Sequence, residues 1–149
     1  TYYDTHGIVG NEVPTVDLAG IPKVFEAVHE AIKGGNTSAV HDVSEGGVVS
    51  AVAEMCFGGD CGVEIDLSAI EGRPDMFLFN ETAGCFVAEV SDDEAAKVAF
   101  GNVPYIVLGK TTSEKTIKAK TKNGTLFAAS TDELKEAWQA PTRRFFGYE

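Results

Sequence analysis

The chain has 149 residues, 44% of them hydrophobic, enough to enclose one proper core and too few for two ordinary domains. A formal net charge of −11 and a pI near 4.6 argue against a nucleic-acid surface, which needs a concentrated basic face, so the acidity reads as solubility. No apolar run approaches the roughly 18 residues of a membrane span, and no basic-then-apolar leader opens the sequence. Three cysteines, Cys56, Cys61 and Cys85, give neither a CxxC pair nor an even disulfide set, so buried hydrophobe-like roles and a cytoplasmic setting are expected, with no membrane and no nucleic-acid partner.

In chain order, Thr1 to Gly20 opens without Met and lacks helical or strand periodicity; it reads as a linker and contact segment following a preceding module. Ile21 to Lys33 carries Val24, Phe25, Val28, Ala31 and Ile32 on one helical face, with Pro22 in the first turn and Gly34-Gly35 as a stop. Ala39-Val40 reads as a short buried strand leading into a turn at His41, and Val48 to Phe57 as a helix apolar nearly all round. Gly62 to Leu67 alternates as a strand. Met76 to Phe79 and Cys85 to Val90 flank the polar Asn80-Glu81-Thr82-Ala83-Gly84, which predicts either a hairpin or a helix-to-strand corner.

Ser91-Asp92-Asp93-Glu94 fits a capping box opening a helix to about Phe100, followed by a strand over Tyr105 to Leu108. Thr116 to Thr121 and Thr125 to Ala128, joined by Asn123-Gly124, predict a hairpin with Lys118, Lys120 and Lys122 on a wet face. Ser130-Thr131-Asp132-Glu133 is a second capping box, opening a helix that Pro141 is expected to stop. The sum is one α+β domain over residues 21–140, a mixed sheet with helices packed on it, with 141–149 as a tail in which Arg143 and Arg144 either dock on a neighbour or are disordered.

Of the three histidines, His6, His29 and His41, no two have a metal-ligand spacing, so no metal site is expected. The turn His41-Asp42-Val43-Ser44-Glu45-Gly46-Gly47 has more logic. A buried strand delivering Asp42 and Ser44 to a glycine pair at a helix start exposes unpaired amides together, and these attract anions, phosphate above all. The alternative is that Ser44 caps the helix and the glycines allow a neighbouring backbone to pack closely. Asp42 and Glu45 would repel a bare phosphate and would accept one bridged by magnesium. Asn80, Glu81 and Thr82 form a second polar knot, able to meet sugar hydroxyls or amides, or to be an ordinary turn.

The stretch His41 to Gly47, followed by Ala51-Val52-Ala53-Glu54-Met55, resembles the motif opening the last module of the phosphoribosylformylglycinamidine synthases. Leu78-Phe79-Asn80-Glu81-Thr82-Ala83-Gly84 is similar to that module's Glu-Ser/Thr turn, and Gly10-Asn11-Glu12-Val13-Pro14-Thr15-Val16-Asp17-Leu18 to the link before it. The resemblance implies the α+β C-terminal domain of the aminoimidazole ribonucleotide synthetase superfamily, in a ligase built from two pairs of N- and C-terminal modules. Such an enzyme converts formylglycinamide ribonucleotide, ATP and glutamine-derived ammonia to the amidine through an iminophosphate. It implies ATP and Mg2+ as cofactors of the full enzyme, and as partners the N-terminal modules, a glutaminase subunit, a small accessory subunit and nucleotide ligands. The N-terminal modules would supply the catalytic histidine and most ATP and magnesium contacts.

This chain, as the final C-terminal module, would then hold no catalytic residue and be inactive alone. Its ligand- or phosphate-facing residues would be His41, Asp42, Ser44, Glu45, Gly46, Gly47, Asn80, Glu81 and Thr82, on the half associated with a structural nucleotide. Cys85 stands where many relatives have Arg, which removes a cationic phosphate contact. The alternatives are a C-terminal module of another superfamily member, such as aminoimidazole ribonucleotide synthetase, selenophosphate synthetase or thiamine-monophosphate kinase, and a scaffold module that binds nothing.

Overall fold

The computed structural model describes residues 2–10 and 13–147; Asn11 and Glu12 of the link motif, Thr1 of the opening segment and the last two tail residues lie outside it. The fold is α+β with a mixed sheet, as the sequence pattern predicts. Its elements are α1 (Tyr2–Thr5), α2 (Ile21–Lys33), β1 (Ala39–Asp42), α3 (Gly47–Gly59), β2 (Gly62–Asp66), α4 (Pro74–Leu78), β3 (Phe86–Glu89), α5 (Asp93–Phe100), β4 (Gly109–Thr112), β5 (Thr116–Thr121), β6 (Gly124–Ser130) and α6 (Thr131–Phe146). Contacts group them into two compact units, Thr1–Val52 with Asp75–Val107, and Ala53–Pro74 with Leu108–Glu149. No described helix is long and apolar enough to cross a membrane.

In the first unit β1 and β3 pair antiparallel, with His41 opposite Val87 and Asp42 opposite Phe86. Ala27 and Ala31 of α2 and Phe100 of α5 form its buried cluster, joined by Val28, Ala88, Val90, Ala99 and Val103. The buried stripe of α2 is therefore shifted from the predicted face: Phe25 and Ile32 are 50% and 55% exposed. Small Ala27 and Ala31 let the helix approach its neighbours closely, while Phe25 keeps partial cover by meeting Phe86 edge-on at 5.8 Å.

The polar sequence between the apolar flanks resolves as a helix-to-strand corner, α4 leading to β3, and not as a hairpin. The cap of α5 falls one residue later than the Ser91 box predicts: the Asp92 carboxylate accepts from the Ala95 amide at 2.8 Å, while Ser91 Oγ donates to Asp92. A charged acceptor at the N-cap outcompetes the serine hydroxyl. Tyr105 to Leu108 forms no strand; the ladder begins one residue later, at Gly109, whose close approach to the Glu64 carbonyl leaves no room for a Cβ.

In the second unit the sheet order is β4-β2-β5-β6, with β2 and β5 parallel and the other pairs antiparallel. Val63, Ile65, Ile117 and Ala119 alternate onto its buried face. The hairpin turn is Lys122-Asn123 rather than Asn123-Gly124, because Gly124 already pairs with Thr121. A register shift after Ala119 makes room for an extra residue in β6.

On the other face Lys118 meets Glu64 at 3.7 Å and Lys120 meets Asp66 at 3.1 Å across the parallel pair; Lys122 has left the ladder for the turn. Pro141 does not stop α6, which runs on to Phe146; Arg143 ties the two sides of the proline together by reaching Glu136 at 2.8 and 2.9 Å and bonding Gln139. The predicted tail is thus helical as far as Phe146.

The Ser68 hydroxyl first, the Ser68 amide donating at 2.9 Å second, and Lys120 third hold the Asp66 carboxyl at about 2, below the ordinary 3.8. A depressed folded-state value means that the stabilisation is present above the ordinary carboxylate range and is lost as the pH falls from there through about 2. A carbon-13 titration of the side-chain carboxyl should give a midpoint near 2 that rises on Ser68→Ala. A wild-type midpoint at 3.8 rules the arrangement out.

Candidate functional site

The two polar turns singled out in the sequence, 35 residues apart, are brought together in the first unit. β1 delivers His41 and Asp42, Val43 is buried with its amide donating to the Cys85 carbonyl at 2.9 Å, and the chain then turns through Ser44 to Gly47. The Glu81 carboxylate accepts from the Gly46 amide at 2.8 Å. Beside it, Asn80 Oδ1 accepts from the Thr82 amide at 2.9 Å and the Thr82 hydroxyl at 2.6 Å, so the corner is internally braced.

The glycine pair is required by backbone geometry. Gly46 and Gly47 both have positive φ, 84° and 75°, which L side chains rarely adopt. A Cβ on Gly47 would stand 2.6–2.7 Å from the backbone of Leu78 and Phe79, so here it is another segment of the protein that approaches closely. On Gly46 it would run into the Ser50 side chain, whose hydroxyl donates to the Gly46 carbonyl at 3.1 Å.

Ser44 is not the cap of α3. The helix begins at Gly47, whose amide donates to the Ser44 carbonyl at 3.0 Å. A helix start attracts an anion through its amides and dipole, and at Gly46 the anion in place is the protein's own Glu81 carboxylate. His41 Nδ1 donates to the Asp42 carbonyl at 2.7 Å, and its ring lies 3.8 Å from the exposed Asp42 carboxylate. Asp42, Glu45 and Glu81 place three carboxyl groups at the turn, a chemistry that would meet a phosphate through a bridging cation rather than directly. Among the described residues no group of three or more His, Cys, Asp or Glu side chains is placed to hold a metal ion.

Sequence reasoning missed the contacts that Tyr2 makes with this corner. Tyr2 stacks on Phe79 at 4.2 Å and donates its hydroxyl to Asp75 Oδ2 at 2.7 Å. No local pattern could have signalled contacts across 73 residues.

The β1 turn is thus clasped to the α4–β3 corner within an α+β fold. Residues 4–122 match the AIR synthase related protein, C-terminal domain, and the chain belongs to that family. It is 35% identical over 98% of its length to the phosphoribosylformylglycinamidine synthase subunit PurL of Deinococcus radiodurans, of which it covers 20%. The fold is similar to that of Thermotoga maritima PurL complexed with FGAR (TM-score 0.71, 18% identity, 89% of this chain and 24% of that one). It is also similar to the Thermotoga maritima PurLQS structure (0.70, 18%, 80% and 22%) and to PurL complexed with ATP (0.63, 19%, 74% and 21%). The chain thus spans about a fifth of the length of the curated relative it matches.

Proposed function

We propose that this chain is the last C-terminal module of a phosphoribosylformylglycinamidine synthase, the cytoplasmic ATP-dependent ligase of purine biosynthesis. It contributes an interdomain or auxiliary nucleotide-facing surface and no catalytic residue. The observation that carries the proposal is the Glu81–Gly46 bond, which joins the two turns that resemble the family's motifs into one surface. The likeness to PurL along almost the whole chain supports the parent enzyme. In that enzyme Asp42 and Glu45 would offer the one or two carboxylates that a magnesium-bridged phosphate takes from a protein. ATP, the N-terminal modules, a glutaminase subunit and a small accessory subunit would complete the assembly.

Formylglycinamide ribonucleotide-dependent ADP release by the complete parent polypeptide, supplied with ATP and ammonia, tests the proposal. The complete enzyme is expected to turn over and the isolated 149-residue chain to give none. Glu81→Ala in the complete enzyme should lower kcat about tenfold, the order expected from losing one charge-assisted hydrogen bond, with Glu81→Gln losing less. Turnover by the isolated chain, or no substrate-dependent ADP from the complete one, refutes it.

A scaffold role is favoured by one observation, that Gly46 and Gly47 both donate their amides within the protein. Unchanged kcat in Glu81→Ala would select that reading.

A further inference from the structure

We propose that Tyr2 is a positioning residue for the Glu81–Gly46 clasp: it straps α1 onto α4 and so holds the corner from which Glu81 reaches the Gly46 amide. Only its consequence for activity rests on the function proposed above. Tyr2 grips α4 and the residue that follows it, its hydroxyl donating to Asp75 and its ring lying flat on Phe79 (4.2 Å between centroids, 5° between planes). Asp75 and Phe79 are four residues apart, one helical turn, and the Phe79 amide donates to the Asp75 carbonyl at 2.9 Å. One side chain therefore pins both ends of a single turn.

Further contacts hold the strap in place. The Tyr3 hydroxyl meets Met76 Sδ at 3.2 Å, and the His6 ring stands edge-on to Tyr2 at 4.9 Å. α4 has five residues, too few to be stable by its own hydrogen bonds, so tertiary contacts must set its position. From the pinned turn the path to the candidate site is short. The Phe79 backbone abuts Gly47, and Glu81, two residues on, holds the Gly46 amide. If the chain is the module proposed above, α1 would lie toward the module before it, and the strap would carry that module's setting into the turn.

Hydrogen exchange of the complete parent protein, resolved at the Gly46 amide, tests the strap without reference to turnover. Tyr2→Ala should speed exchange at Gly46 and in residues 79–85 about tenfold, through local opening of the corner. Tyr2→Phe, which keeps the stack and drops the hydroxyl, should change it by no more than about threefold. Exchange at Gly46 equal to wild type in Tyr2→Ala, with only residues 2–9 loosened, overturns the proposal. If Tyr2→Ala fails to fold, Tyr2→Leu, which keeps apolar cover without the flat stack, carries the same readout and the same two outcomes.

The kinetic arm is separate. Tyr2→Ala should lower kcat with little change in KM for ATP, and Tyr2→Phe should restore it. A loosened Gly46 with wild-type kcat leaves the strap standing and overturns the functional role of the turn.

Discussion

Leu78→Ala should destabilise the first unit by about 3–4 kcal/mol, the largest loss expected of any single truncation near the site. Leu78 is 2% exposed at the last position of α4, and its carbonyl lies against Gly47. Removing its side chain takes away buried apolar area and leaves a cavity that a five-residue helix, pinned by Tyr2 and by the Gly47 backbone, is poorly able to collapse. Denaturant unfolding of wild type and variant, compared at equal slope, measures the difference. A loss below about 1 kcal/mol would mean that the corner relaxes freely, against its description as a braced element.

Gly47→Ala should cost about 2–4 kcal/mol by the same measurement, from a positive φ that alanine resists and from overlap with the backbone of Leu78 and Phe79. The two terms act at one position and have no soft side chain to absorb them, since the opposing atoms are main chain. A change within about 0.5 kcal/mol would show that the turn and the corner separate without cost. Gly46 is a poorer probe of function than its place in the motif implies. Its φ of 84° strains any side chain placed there, so lost activity would not distinguish a lost ligand contact from a distorted turn. Glu81→Gln is the gentler probe, because it weakens the bond to the Gly46 amide without placing a side chain at a positive φ.

Elements with a strong local cause were legible in the sequence. The bounds of α2 follow from Pro22 and the Gly34-Gly35 stop, α3 from its apolar run, and the β5–β6 hairpin from the turn residues near Asn123. Elements set by competition were less so. Asp92 took the cap from Ser91, and a hairpin register decided two residues away moved the turn to Lys122-Asn123. α6 runs through Pro141, with Arg143 bonding Glu136 across it. In each case local propensity named the right region and a nearby contact chose the residue.

The sequence by itself determined that two polar turns, at His41 to Gly47 and at Asn80 to Thr82, interrupt apolar elements in a family-like pattern. It determined also that paired glycines allow something to come close at the first of them. Only the tertiary structure decided what does come close. At Gly47 it is the Leu78–Phe79 backbone, at Gly46 the amide is held by Glu81, and the corner that brings both is pinned by Tyr2 from the far end of the chain. Glycine spacing records that a Cβ is excluded, which is a local property of the backbone. The identity of the neighbour depends on contacts across 35 and 73 residues, and these are set by packing, which no short pattern encodes.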